Sequence, residues 1–244
     1  MGFLNGILFR KKPNLENQGL EQGFWEKKDL IKNLGSKKYV QKHQVIQDPS
    51  KAVNVLRGGG LVILPTETLY GLAVRYQDEN ALERLFRLKG RSLGKQIPLL
   101  IEDPKNIVPH LVEEIPEVAQ KLMDVFWPGP LTLIFKARKG VPRLIGGKSR
   151  TVGLRQSAHP VVRAIVTALG EPITGTSANL SGLPSPFNLE QISPSLLMAS
   201  DLVIDGDRLK GRKGSTVLDF TGKEIKIIRQ GDLPLSRIRE HIQL

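Results

Sequence analysis

Between Leu61 and Gly231 the chain returns repeatedly to short β-prone runs: LVILPT, IPLLI, LTLIFKA, TVGLRQ, PITGTSA, DLVIDG, STVLDF and IKIIRQG. Each is broken within a few positions by Pro, Gly or charge, so each can supply only a short strand. None approaches the roughly 20 apolar residues of a membrane span. The early runs are separated by helical periodicity. DENALERLFRLKG sets Leu82, Leu85 and Phe86 on one face behind an Asp78 cap, and HPVVRAIVTALG carries an apolar stripe with a glycine stop. Ser50 is expected to cap the helix before Gly58–Gly60, and IPEVAQKLMDVFW reads as a helix ending at the rigid turn WPGP. The late runs cluster with few helices between them, apart from a final amphipathic LSRIREHIQL. This order predicts an α/β fold, a twisted mixed β-sheet with helices packed on it.

Residues 1–46 differ: they are rich in Lys, Asn, Gln and Glu and lack a sustained strand signal. They read as a basic polar N-terminal extension, loosely held, with one main domain over 47–244. The whole chain carries Lys+Arg 36 against Asp+Glu 24, a formal +12, which favours polyanionic partners such as a nucleotide or nucleic acid. With no cysteine, disulfides and thiolate metal sites are excluded. The four histidines, at 43, 110, 159 and 241, have no metal-ligand spacing, so no protein metal site is expected. The N-terminus fits neither a signal peptide nor a myristoylation motif, and a soluble cytoplasmic protein is expected.

Two common nucleotide motifs fail. IGGKSR has Pro142 where a Walker loop needs Gly, and after Gly58 and Gly60 the third glycine of GxGxxG is Ile63. Other patterns remain. LPTETLYGL presents hydroxyls and a carboxylate where a strand ends, a favoured ligand position in open α/β sheets, although an ordinary turn with capping hydroxyls looks the same. Lys89 and Arg91 lie two apart, and in extended chain would share one side; they form either an anion grip or a solvated helix end. Neither reads as a packing residue. TGTSANLSG, residues 174–182, offers five hydrogen-bonding side chains in nine positions among glycines. Arg155 and Arg229 sit on apolar strands, where a lone cation needs a carboxylate or a ligand. His159, before Pro160, reads as a helix-start residue.

Together PTETLYGL, LKGR with the downstream PLLI, WPGPLTLI, VGLRQSAHP, TSANLSG and GSTVLDF…IIRQG resemble the YrdC-like, or TsaC, threonylcarbamoyl-AMP synthases. The segments occur in family order over roughly residues 50 to 235. The resemblance implies a sheet curved around a basic concave cavity, and condensation of L-threonine, bicarbonate and ATP to threonylcarbamoyl-AMP and pyrophosphate. The product would pass to a tRNA threonylcarbamoyl transferase machinery. By position, Thr66, Arg155, Gly175 and Ser215 would hold threonine. Lys89, Arg91, Leu93 (through its backbone), Thr151, Ser177, Asn179, Ser185 and Arg229 would line the ATP site, with Lys89 and Arg91 also catalytic and Mg²⁺ arriving on ATP. Direct binding of tRNA or double-stranded RNA, with no membrane partner, is a further expectation.

Some relatives carry His in the strand after Lys-x-Arg, where this chain has Leu100; this resembles the bacterial, single-domain branch. The chain is expected to lack the extra C-terminal domain of longer relatives. Two other readings stay open: a non-enzymatic double-stranded RNA-binding module, and a carbamoyl-adenylate-forming domain of the hydrogenase-maturation type. The lack of zinc-finger cysteines disfavours the latter.

Overall fold

The computed structural model describes residues 45–46, 48–91 and 96–243. The strands are β1 (Val45–Ile46), β2 (Val62–Pro65), β3 (Tyr70–Ala73), β4 (Leu99–Ile101), β5 (Leu131–Lys136), β6 (Thr151–Gln156), β7 (Ile173–Thr174), β8 (Thr176–Ser177), β9 (Leu202–Ile204), β10 (Thr216–Asp219) and β11 (Lys226–Arg229). The helices are α1 (Ser50–Arg57), α2 (Glu79–Lys89), α3 (Pro104–Leu111), α4 (Glu117–Phe126), α5 (Arg143–Gly146), α6 (Pro160–Leu169), α7 (Pro194–Ala199) and α8 (Leu235–Arg239). The α/β class is as expected. The strands, however, divide into two mixed sheets, ordered β1-β9-β2-β3-β8 and β11-β10-β5-β6-β4-β7. The extension lies outside the described residues except for Val45 and Ile46, which pair in parallel with Val203 and Ile204.

The two sheets are hydrogen-bonded to each other where β7 runs into β8. Chain leaving β7 enters β8 through Gly175, whose N–H donates to Pro98 O at 2.8 Å. Beside it Thr174 Oγ1 accepts from Val74 N at 3.0 Å and donates to Leu72 O at 3.3 Å, so the second sheet is hydrogen-bonded to the end of β3. These backbone groups would otherwise be buried without partners. One apolar cluster fills the space under α2 and α4, including Leu82, Leu85, Phe86, Leu122, Leu133 and Leu154. A second joins α1 and α6 to the first sheet through Leu56, Leu64, Val162 and Ile165. Truncating Leu82 or Leu85, both fully buried, would remove about 2–5 kcal/mol.

Helix ends mostly follow their sequence signals. Asp78 Oδ1 accepts from Ala81 N at 2.9 Å, and Gly90, in the left-handed region at φ 57°, ends α2. His159 caps α6, its Nδ1 accepting from Val161 N at 3.3 Å. The expected Ser50 cap is incorrect. Ser50 is inside the first turn, and its N–H and hydroxyl both donate to the Asp48 carboxylate, at 2.9 and 2.7 Å. The hydroxyl is thus used as a donor, and Ala52 N, which a Ser50 cap would have engaged, donates to Pro49 O at 3.1 Å. Helix α3 was not foreseen, although Asp103 followed by Pro104 is a start signal, with Asp103 accepting from Lys105 N and Asn106 N.

Candidate functional site

The two sheets face a cleft with two connected compartments. The inner one, of about 150 Å³, takes Thr66, Thr68 and Tyr70 from the β2–β3 corner and Leu100, Thr132 and Arg155 from the second sheet. Gly175, Ser177 and Ser185 close one side, and Ser215, Arg91 and Arg229 another. The outer compartment, of about 470 Å³, shares Arg91, Pro98, Thr132, Ser215 and Arg229 with the inner one. It adds Gln96 and an apolar wall of Ile134, Val217 and Ile228.

Thr66, Arg155, Gly175, Ser215, Arg91, Ser177, Ser185 and Arg229 therefore line one cavity, brought together from stretches of chain as far apart as 66 and 229. Thr151 stands beside it, bonded to the Gln96 side chain, and Gln96 in turn lines the outer compartment. Leu93 lies outside the described residues. The hydroxyl of Thr66 is engaged by its own turn, donating to Leu69 O at 2.7 Å and accepting from Leu69 N at 3.1 Å. Ser215 Oγ and Thr132 Oγ1 are hydrogen-bonded at 2.8 Å, while Arg229 donates to Ser215 O through Nε and Nη2 at 3.1 and 2.8 Å. The Arg229 head is thereby fixed where both compartments open.

Lys89 departs from expectation. It is 2% exposed, so it is neither a solvated helix end nor free of packing. Nor is the Lys89–Arg91 segment extended: Lys89 ends α2 and Gly90 turns the chain back through the left-handed region. The reason is the loop 177–181. Lys89 Nζ donates to Ser177 O at 2.5 Å, Asn179 O at 2.7 Å and Asn179 Oδ1 at 3.3 Å, and Ser181 N donates back to Lys89 O at 3.0 Å. Ser177 Oγ donates to the same Asn179 Oδ1 at 2.5 Å. A buried ammonium thus takes its acceptors from the loop that lines the cavity. Burial and the neighbouring Arg91 charge push Lys89 down to about 7.

Glu67 and Thr68 are the carboxylate and a hydroxyl of LPTETLYGL, given no role from the sequence, whereas Thr132, Gln96 and Ser157 carry no sequence signal of function. Glu67 Oε1 lies 2.6 Å from Arg155 Nη2, and its Oε2 accepts from Ser157 Oγ at 2.5 Å. Arg155 Nη2 also donates to Thr68 Oγ1 at 3.1 Å, while its Nε is buried without a hydrogen-bond partner. Burial raises the Glu67 pKa, but Arg155 and Ser157 together outweigh it and hold the carboxyl below its ordinary value. The lone cation on β6 has the carboxylate it required. The PTET motif held the signal for Glu67 and Thr68, whereas Thr132 and Ser157 sit in strands and turns with no mark of function.

Fold and site define a two-sheet α/β protein whose cleft, formed by residues of both sheets, carries three arginines and a set of hydroxyls. The chain belongs to the Sua5/YciO/YrdC family, whose model, described as Telomere recombination, matches residues 54–231. It is 38% identical to the threonylcarbamoyl-AMP synthase of Pyrococcus abyssi over 78% of this chain and 56% of that protein. It is 34% identical to the uncharacterized protein YciO of Escherichia coli, over 75% of this chain and 88% of the relative. The crystal structure of P. abyssi Sua5 complexed with L-threonine superposes with a TM-score of 0.76 at 37% identity, covering 80% of this chain and 57% of that one. The chain thus spans little more than half the length of the P. abyssi relative.

Proposed function

We propose that the chain is an L-threonylcarbamoyladenylate synthase. The observation that carries this reading is the convergence of Arg91, Arg155 and Arg229 on two joined compartments, one small and polar, the other larger with an apolar wall. An amino acid suits the first and a nucleotide the second. The synthase activity named for the P. abyssi relative and the L-threonine bound in the P. abyssi Sua5 structure support it. In this reading the threonine carboxylate meets Arg155, backed by Thr68, and the threonine hydroxyl and amine meet the Thr132–Ser215 pair and the Gly175 backbone. ATP takes the outer compartment, its phosphates on Arg91, Arg229 and the 177–179 loop that Lys89 secures.

Chemically, the threonine nitrogen adds to bicarbonate and water leaves, giving a carbamate. A carbamate oxygen attacks the α-phosphorus, the bond to the bridging oxygen breaks, and pyrophosphate departs with the electron pair. The step needs positioning and charge neutralisation more than a strong base. Mg²⁺ would enter on the triphosphate as part of that substrate. The proposal includes a catalytic unit over 47–244, a cytoplasmic location and delivery of the product to a tRNA threonylcarbamoyl transferase. Among the described residues no helix is long and apolar enough to cross a membrane.

The test is pyrophosphate release with ATP, Mg²⁺, threonine and bicarbonate. Release that stops when either threonine or bicarbonate is withheld is the expected result. ATP left intact with all present would overturn the reading. Preference for carbamoyl phosphate over threonine with bicarbonate would replace it with a carbamoyl-adenylate former.

A further inference from the structure

The connection from β9 to β10 carries RLKGRK at 208–213. Arg208, Lys210, Arg212 and Lys213 are exposed, whereas Leu209 is 4% exposed and pins the loop down. Its backbone is fixed twice. Leu209 N donates to Phe187 O at 2.9 Å, and the Asp232 carboxylate accepts from Arg212 N at 3.1 Å and from Lys213 N at 3.0 Å. The guanidinium carbons of Arg212 and Arg208 lie 4.2 and 5.4 Å from the Phe187 ring centre. Among the described residues none of these four cations pairs with a side-chain carboxylate.

The loop stands on the rim of the cleft. A Cβ at Gly211 would collide with Thr68 Cα, so the loop backbone rests directly on a segment that lines the inner compartment. Gly214 and Ser215, just after the loop, and Ser185, two residues before Phe187, line it too. The loop thus carries four cations without an ion pair on an anchored backbone at that rim, against two carboxylates, Asp207 beside it and Asp232 beneath it, so this edge is net positive. A net positive edge raises the encounter rate of an anionic ligand.

We propose that the Arg208–Lys213 loop collects the polyphosphate of a nucleoside triphosphate and feeds it into the cleft. The proposal rests on the ATP reading above and adds where the anion is first drawn in. The loop acts on encounter, not on the reacting phosphorus. Asp232 and Phe187 serve to hold its charges at the rim.

The test is the association rate of a fluorescent ATP analogue with Mg²⁺, by stopped flow, at roughly 20 mM and 300 mM salt. Full-length Lys210→Glu/Lys213→Glu is compared with Lys105→Glu/Lys121→Glu, which changes net charge equally at exposed positions that line neither compartment. The rim pair should associate about tenfold more slowly at low salt and within about twofold of the parent at high salt, with dissociation unchanged. The control pair should stay near the parent rate. Equal slowing by both pairs, unchanged association in the rim pair, or a loss of tRNA binding with nucleotide association intact would each overturn the proposal. Because binding is read without turnover, a parent that binds the analogue but releases no pyrophosphate would sink the synthase reading alone.

Discussion

Glu67 and Arg155 form a buried ion pair at 2.6 Å, with Ser157 holding the other carboxylate oxygen. Removing the anion strands a guanidinium whose Nε already lacks a partner. Glu67→Ala should therefore cost about 3–5 kcal/mol, read by denaturant unfolding. The pair should also set acid sensitivity. The Glu67 pKa is below its value of 4.5 in the unfolded chain, so its contribution is complete above that pH and is lost as pH falls through the folded value. Glu67→Gln should flatten stability against pH in that acid window; an unchanged slope would remove Glu67 as its source.

Arg155→Lys should raise the KM for threonine roughly 10–100-fold and that for ATP little, since an ammonium cannot reproduce a two-bond grip on a carboxylate. The residue is already pinned by Glu67 and Thr68, so few alternative poses exist. Initial rates with each substrate varied decide it. Equal rises for both substrates would take Arg155 out of the threonine site.

Lys89 yields a slope of the same sign as Glu67, in a different pH window. Its folded pKa of about 7 lies below the 10.5 of the unfolded chain, so between these values the unfolded chain binds the extra proton. Stability should rise with pH across that window and level off above it. Lys89→Met should abolish the rise, and should also loosen loop 177–181. In parallel, kcat/KM for ATP should fall above about pH 7 as the ammonium deprotonates in the free enzyme. A profile flat from about pH 6 to 9 would show that the charge is not needed.

Much of this was legible before any coordinates. The apolar runs became strands because period and punctuation left no other option, and PTETLYGL, TSANLSG and the strand arginines do converge on one cleft. What was hidden is geometry across the sheets. No local pattern tells that Lys89 turns inward, because its acceptors are backbone carbonyls some 88 and 90 residues on. The split into two sheets was equally hidden, since PITGTSA reads as one run yet Gly175 divides it into β7 of one sheet and β8 of the other. Thr132 looked like any β-strand threonine until Ser215 was placed opposite it.

Gly175 supplies the last prediction. A Cβ there would lie 2.7 Å from Leu100 Cγ and 2.9 Å from its Cδ2, closer than packed atoms tolerate. The obstacle is a side chain, not backbone, so Gly175→Ala should fold by displacing Leu100. Leu100 lines the inner compartment and pairs in register with Arg155 on β6, so the space it is pushed into is the space threonine would take. Overpacking should cost about 1–3 kcal/mol, with a KM for threonine raised at least about tenfold and dissociation of ATP little changed. Leu100→Ala alone should cost about 2–5 kcal/mol through the cavity it leaves. In the double variant the new methyl occupies part of that cavity, so the two losses should fall short of their sum by about 1 kcal/mol or more. Unfolding of the parent, both single variants and the double variant in one denaturant series measures the coupling. Strict additivity would mean that the added methyl finds room elsewhere and that Leu100 does not guard the compartment.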